Sequence, residues 1–161
     1  MRKEFASVLY GEEAIKQRVK ELAAEISLFY QKNGAPEIVV IGILRGAVIF
    51  MSDLIRKITI PLIIDFMSIS SYGNSASSSG TVRILKDVAE DLAGKHVLIV
   101  EDIVDTGLTL ESLKSVLWSK NPKTVHLCSF FSKPSRRRVP VEIDFCGFEV
   151  PDEFLVGYGL D

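Results

Sequence analysis

Residues 97–109, VLIVEDIVDTGLT, join a short apolar run to three acidic residues and a glycine-containing turn. The run 97–100 is typical of a strand that is buried on both faces of a sheet. Glu101, Asp102 and Asp105 are therefore expected at the C-terminal end of this strand, the edge at which open α/β sheets bind ligands. A solvated loop held by an Asx-type turn is the alternative. The segment predicts a parallel α/β sheet with a binding site at this edge.

The turn that follows the acids has the features of a phosphate site. A helical pattern with one apolar face begins at Thr109. Gly107 gives the backbone freedom, while the hydroxyls of Thr106 and Thr109 and the unpaired N–H groups of the helix start can donate to a phosphate. Acids beside such donors suit a ligand that carries a phosphate together with ribose hydroxyls or a divalent cation.

Length and composition indicate one globular domain and exclude several protein classes. The 161 residues fit a single domain, since domains usually have about 100 to 200 residues. A hydrophobic fraction of 47% with 25% charged residues is ordinary for a globular protein, and a net charge of −2 argues against a nucleic-acid partner. No apolar stretch approaches a membrane span, no signal peptide pattern is present, and Cys128 and Cys146 read as core residues. We therefore expect a cytoplasmic protein without a membrane partner.

Apolar periodicity predicts alternating helices and strands, and hence mainly parallel strands joined by crossovers. The predicted helices are 12–31 and 47 to about 57, besides the one that begins at Thr109. The predicted strands are 38–44, 62–68, 82–85, 97–100 and 125–131, with two short ones, 143–147 and 154–158, near the end. The fold class is therefore α/β, with a central, mainly parallel sheet flanked by helices. The segment 70–80, SSYGNSASSSG, has almost no apolar anchor and predicts a mobile loop.

These features together resemble the type I phosphoribosyltransferases, and within them the bacterial hypoxanthine-guanine branch. Residues 97–109 resemble the family's signature for phosphoribosyl diphosphate (PRPP). Six further blocks follow the family's order, namely GILRG at 42–46, SSYG at 70–73, SGTVRILK at 79–86, SKPSRR at 132–137, FCGFEVPD at 145–152 and GYGLD at 157–161. The resemblance implies a purine-salvage enzyme that transfers ribose 5-phosphate from PRPP to N9 of hypoxanthine or guanine. The products would be IMP or GMP and pyrophosphate, and Mg²⁺ would be required.

The resemblance assigns roles to the acidic segment and the turn after it. Glu101 and Asp102 would hold the ribose hydroxyls of PRPP, directly or through Mg²⁺. Asp105 would be the general base near N7 of the purine. The 5′-phosphate would lie in a cradle formed by Asp105, Thr106, Gly107, Leu108 and Thr109, in which Leu108 contributes only its backbone.

Two further segments would bind pyrophosphate. By resemblance, Leu44, Arg45 and Gly46 would use backbone groups, and the Leu44–Arg45 peptide is often cis in the family. The guanidinium of Arg137 would reach two phosphate oxygens, since its fork suits them. A solvated basic face is the ordinary alternative for residues 136–138, and Arg136 and Arg138 are predicted to be surface charges.

The resemblance also implies a lid, at about residues 69–81, and a C-terminal hood of short strands, mainly about 139–161. Ser71 and Tyr72 match the lid's Ser-Tyr pair, and such a lid would keep water from the reacting sugar. A tolerated surface loop is the alternative. In relatives the hood covers the purine pocket.

Four residues near the end of the chain would contact the purine or its metal. Lys133 can only donate hydrogen bonds, so it would select the 6-oxo group of hypoxanthine or guanine over the amino group of adenine. A surface lysine is the alternative. By resemblance, Phe154 would stack on the purine, the backbone of Leu155 would meet its exocyclic edge, and Asp161 would coordinate Mg²⁺.

Two other functions stay open at this point. A regulatory protein with the PRPP-binding fold could bind RNA without transferase activity, although it should show a broad basic face. A nucleotide-binding or phosphoacceptor switch domain could also place acids at strand ends, but the G-x-x-x-x-G-K-[ST] loop is missing. The family resemblance further implies a homodimer or homotetramer.

Overall fold

A mainly parallel sheet forms the centre of the part of the chain that the structure describes. The computed structural model describes residues 7–71 and 82–160. Within them six strands lie in the order β3-β2-β1-β4-β5-β6, and only β2 and β3 pair antiparallel. The strands are β1 Ile38–Leu44, β2 Leu62–Ser71, β3 Val82–Lys86, β4 His96–Val104, β5 Thr124–Ser132 and β6 Phe145–Glu149. The α/β fold expected from the sequence is confirmed.

Helices cover both faces of this sheet and create two cores. The helices are α1 Glu12–Lys32, α2 Val48–Ile55 and α3 Leu108–Trp118. Ile26 of α1 and Phe50 of α2 share one core with Val40 of β1, whereas Leu113 of α3 shares the other with Ile41. Successive residues of β1 thus enter opposite cores, as the pleat of a strand requires. This double burial explains why the central strands read as continuous apolar runs.

Strand β4 is longer than the sequence predicted. It continues to Val104, because Ile103 pairs with Phe131 and Val104 pairs with Ser132 of β5. The predicted strand end at residue 100 is therefore four residues too early. The placement of Glu101 and Asp102 at the C-terminal end of the strand is confirmed. Both lie in its last residues, and only Asp105 comes after it.

The start of the predicted lid is also strand. Residues 69–71 belong to β2 and pair with β3, so Ser71 is the last residue of β2. The expected lid can therefore begin only after Ser71. Tyr72 and the rest of that loop lie outside the described residues.

The hood contains one strand where two were predicted. Strand β6 begins at Phe145, but residues 154–156 are irregular and residues 157 and 158 form a bend and a turn. The backbone of Gly157, Tyr158 and Gly159 has φ values of 93°, 50° and 86°, which a strand cannot contain. The hydroxyl of Tyr158 instead donates to Asp53 of α2 at 2.6 Å. This bond ties the end of the described chain to α2.

The two cysteines and the helix lengths bear on what the composition predicted. Cys128 is buried and Cys146 is half-buried, and both are free. The prediction of core cysteines is thus confirmed for Cys128 and only partly for Cys146. No helix among the described residues is long and apolar enough to cross a membrane.

Candidate active site

The acidic end of β4 holds two side chains that burial keeps from ionising freely. Burial raises the pKa of Glu101 well above its usual value, and the charge of Asp102 raises it further. Burial also raises the pKa of Asp102, although the N–H of Ile103 donates to its Oδ1 at 2.7 Å. The two side chains also interact directly, and this interaction adds to the rise in the pKa of Glu101. They would ionise together only beside a cation or several hydroxyl donors.

The loop between β1 and α2 passes directly beside Asp102. A Cβ on Gly46 would clash with the carboxylate of Asp102, so a side chain here would displace that carboxylate. The Leu44–Arg45 peptide is cis, as the resemblance led us to expect. A Cβ on Gly159 would lie 3.1 Å from the carbonyl oxygen of Gly46, so the end of the described chain reaches the same loop. The residues predicted to bind pyrophosphate and sugar are thus neighbours.

The turn between β4 and α3 is tightly packed. Gly107 has a φ of 87°, and a Cβ there would lie 2.5 Å from Cγ2 of Val141. The N–H of Leu108 donates to Oγ1 of Thr106 at 3.4 Å. Because α3 begins at Leu108, the N–H groups of its first turn lie at this bend, as a phosphate cradle requires.

Arg137 supports this turn through hydrogen bonds within the protein. Its Nη1 donates to the carbonyl oxygen of Asp105 at 2.7 Å, and its Nη2 donates to Oγ of Ser132, also at 2.7 Å. The guanidinium predicted to bind pyrophosphate is therefore engaged with the loop backbone. Its assignment to pyrophosphate stays a prediction.

Arg136 is not the plain surface charge that the sequence predicted. Its Nε lies 2.8 Å from Oδ1 of Asp105, and its Nη1 lies 3.4 Å from Oδ1 of Asp152. The 3-10 turn Pro134–Arg136 causes this, because it directs Arg136 toward the end of β4. The sequence signal that could have found this residue is the proline at the start of that turn.

The carboxylate of Asp105 keeps an unused acceptor. Within the described residues, its Oδ1 is buried and has no hydrogen-bond donor, because the nearby Nε of Arg136 makes an ionic contact without hydrogen-bond geometry. Buried acceptors are normally satisfied, so an orphan of this kind points to a missing partner. A ligand N–H would satisfy it.

The residues predicted to contact a purine lie at the end of β5 and in the segment after β6. The N–H of Lys133 donates to the carbonyl oxygen of Val104 at 2.9 Å, so Lys133 lies at the level of Asp105. Phe154 is 76% exposed, which is unusual for a phenylalanine, and Leu155 is half-buried against the α1–α2 core. The described chain shows no group of three or more side chains arranged to hold a metal, and Asp161 lies outside it.

Comparison with known proteins agrees with this geometry. The model of the phosphoribosyl transferase domain family matches residues 7–161. The hypoxanthine phosphoribosyltransferase of Haemophilus influenzae is 47% identical over 161 residues, which is 100% of this chain and 90% of that protein. The hypoxanthine-guanine phosphoribosyltransferase of Aquifex aeolicus is 51% identical over 154 residues, 96% of this chain and 85% of that protein.

Solved structures give the same result for the fold. The crystal structure of a hypoxanthine-guanine phosphoribosyltransferase from Bacillus anthracis superposes with a TM-score of 0.93 at 44% identity. The match covers 98% of this chain and 91% of the other. The family implied by the sequence blocks is confirmed, and the chain belongs to the phosphoribosyl transferase domain family.

Proposed function

We propose that this enzyme transfers the 5-phosphoribosyl group of PRPP to hypoxanthine or guanine in purine salvage. The products would be IMP or GMP and pyrophosphate. The curated relatives compared above carry the names of this activity. The observation that carries the proposal is the buried Oδ1 of Asp105, just after β4, which has an ionic contact with Arg136 but no hydrogen bond among the described residues.

Asp105 is the proposed general base. When N9 of the purine forms its bond to C1′ of the ribose, pyrophosphate leaves with the electron pair of the broken bond. The ring must then lose a proton. A carboxylate within hydrogen-bond reach of N7–H can accept it, and the free acceptor on Asp105 suits this task.

The sugar and its phosphates would lie along the edge formed by β4 and its neighbour β1. Glu101 and Asp102 fit ribose hydroxyls or Mg²⁺, because burial raises the pKa of both and hydroxyl donors or a cation would stabilise their charged forms. Bound Mg²⁺ would neutralise the charge of pyrophosphate, and Asp161 is a third proposed ligand. The 5′-phosphate would be held by Thr106, Gly107, Leu108 and Thr109, and pyrophosphate by Leu44, Arg45, Gly46 and Arg137.

The purine would lie between the end of β5 and the hood. Lys133 would donate to the 6-oxo group, Phe154 would stack on the ring, and the backbone of Leu155 would meet the exocyclic edge. The exposure of Phe154 supports stacking, since burial against a planar base would remove apolar area from water. Tyr72 is proposed to belong to a lid that follows β2.

The proposal is tested by a spectrophotometric assay of five nucleobases with PRPP and Mg²⁺. Hypoxanthine and guanine should react, whereas adenine and uracil should be slower by at least about 10²-fold. Xanthine should react more slowly than hypoxanthine and guanine but faster than adenine and uracil. Absence of turnover with every base would refute the proposal and favour the RNA-binding alternative.

A matched variant sharpens the assay. Lys133→Gln replaces a pure donor by an amide that also accepts, so the preference for 6-oxopurines over adenine should fall by about 10-fold or more. Unchanged preference would contradict the role of Lys133. Lys114→Gln, on the outer face of α3, is the control, because Lys114 only donates to the carbonyl oxygen of Glu142.

We also propose a homodimer or homotetramer in a reducing cytoplasm. The apolar side chains of Val48 and Ile49 on α2 are 38% and 47% exposed, which suits a contact with a second copy. The free thiols of Cys128 and Cys146 suit a reducing compartment. Light scattering after gel filtration measures the oligomeric state, and a monomer would contradict this part of the proposal.

A further inference from the structure

Arg136 connects two acidic residues on opposite sides of the candidate site. Its Nε lies 2.8 Å from Oδ1 of Asp105, in the loop after β4. Its Nη1 lies 3.4 Å from Oδ1 of Asp152, in the turn after β6. Asp152 comes two residues before Phe154, so one guanidinium contacts both the proposed base and the turn that carries the proposed stacking ring.

The backbone around Asp105 cannot move independently of the segment that carries Arg136. Three consecutive carbonyl oxygens, those of residues 104–106, accept hydrogen bonds from residues 133–138. The donors are the N–H of Lys133 at 2.9 Å, Nη1 of Arg137 at 2.7 Å and the N–H of Arg138 at 2.9 Å. With its backbone fixed, Asp105 can change the direction of its carboxylate only by rotating its side chain. Arg136 is the cation that faces that carboxylate in the described chain.

The ion pair between Arg136 and Asp105 suits orientation of the carboxylate more than stabilisation of the fold. The side chains of Arg136 and Asp105 are 47% and 44% exposed, and exposed ion pairs contribute little to folding. Arginine suits the position because its planar guanidinium carries several donors and can face two carboxylates at once, whereas lysine offers one compact charge. The Nε contact also leaves Oδ1 of Asp105 free to accept a further hydrogen bond.

We infer that Arg136 is a positioning residue for the transfer reaction: it directs the carboxylate of Asp105 toward the purine and, through Asp152, holds the hood turn at the matching distance. This inference rests on the proposed function. It assigns Arg136 no contact with the reacting atoms, so its effect must pass through Asp105.

Steady-state kinetics of Arg136→Gln test the inference. We expect kcat with hypoxanthine to fall by about 10-fold, because a base that is free to rotate spends less time in a reactive geometry. The KM for PRPP should stay within about 2-fold and the melting temperature within about 2 °C of wild type, since an exposed ion pair is lost. Lys16→Gln is the control, because Lys16 forms an exposed ion pair with Glu12 at the start of α1, and its kcat should not change.

Two further variants separate positioning from other effects. In an Asp105→Asn background, Arg136→Gln should cause no further loss of kcat, since the group it positions has already been disabled. Asp152→Asn should raise the KM for hypoxanthine by about 2- to 5-fold and reduce kcat less than Arg136→Gln does, because the contact with Asp105 survives.

Each kinetic result either supports or overturns the role of Arg136. A wild-type kcat in Arg136→Gln overturns the inference, and so does a full 10-fold loss in the Asp105→Asn background. In both cases an active wild type leaves the proposed function standing. A wild type that turns over no nucleobase overturns the proposed function first, and this inference with it.

Discussion

Two buried acidic sites in the same sheet have opposite electrostatic surroundings. Asp65, in the middle of β2, accepts hydrogen bonds from the backbone N–H groups of Ala89 and Glu90 at 2.9 Å each and from that of Phe66 at 2.7 Å. Burial alone would raise the pKa of Asp65, but these donors outweigh it and place the pKa below its usual value. The protein thus satisfies this carboxylate completely.

The acids at the end of β4 receive much less from the protein. Burial raises the pKa of both Glu101 and Asp102, although the N–H of Ile103 donates to Asp102. An acid with its own backbone donors is part of the fold, whereas buried acids that are short of donors are available to a ligand. The comparison teaches that satisfaction by the backbone, not residue type or burial, separates structural acids from candidate site acids in this sheet.

Asp105→Asn should produce the largest effect and would test the comparison most severely. The amide cannot take a proton from the purine, so kcat should fall by about 10²- to 10⁴-fold while the fold stays intact. Pre-steady-state and steady-state rates with hypoxanthine measure this loss. Undiminished turnover would show that the unsatisfied oxygen has no catalytic role.

Glu101→Gln should weaken ligand binding without harming the fold. The amide removes a negative charge that a cation or a hydroxyl would require, so the affinity for PRPP with Mg²⁺ should fall by about 10- to 100-fold. Titration calorimetry of wild type and variant measures the difference. Equal affinities would mean that this acid, like Asp65, serves the fold.

Asp65→Asn should give the reverse pattern. Its amide has only one acceptor oxygen, so either the N–H groups of Ala89 and Glu90 or that of Phe66 lose their acceptor, and the free energy of unfolding should fall by about 1 to 2 kcal/mol. Urea denaturation measures this change. The kcat of the folded variant should equal that of wild type, and a selective loss of activity at unchanged stability would contradict the structural role.

The smallest expected effect is a dependence of stability on pH. Because the folded-state pKa of Glu101 is raised, its protonated form stabilises the unliganded fold at low pH, and this contribution is lost as the pH rises through that pKa. As the pH rises from the usual range of a glutamate through this raised pKa, wild type should therefore lose stability relative to Glu101→Gln. For Asp65 the sign is opposite, since its lowered pKa stabilises the fold above the usual value and is lost as the pH falls. Parallel stability curves for wild type and Glu101→Gln would contradict the first assignment.

The central strands could be predicted from the sequence because burial on both faces leaves a continuous apolar run. Strand β1 has the predicted bounds, Ile38–Leu44. The end of β4 could not be predicted in the same way, since Glu101 and Asp102 interrupt the apolar run while the pairing with β5 continues past them. A polar residue inside a strand reads as a strand end unless the neighbouring strand is known.

The site could be predicted in outline but not in its detailed contacts. The acids, the phosphate turn and Lys133 follow from strand ends and from ordered sequence blocks. The different roles of Arg136 and Arg137 could not be predicted, because three consecutive arginines look alike in the sequence. In the structure, Arg136 ends the 3-10 turn and contacts the carboxylate of Asp105, whereas Arg137 donates to the backbone carbonyl of Asp105. Such assignments depend on tertiary packing.

The three anchored carbonyls of residues 104–106 have a thermodynamic consequence. Fixing one residue's backbone costs roughly 1 to 2 kcal/mol of conformational entropy, and here that cost arises when the chain folds. A ligand that arrives at this loop meets a preorganised surface, so little of its binding free energy is lost to ordering the protein. The affinity of a ligand for this loop should therefore depend mainly on desolvation and charge. The main conformational entropy lost by the protein on binding should be that of side-chain rotation.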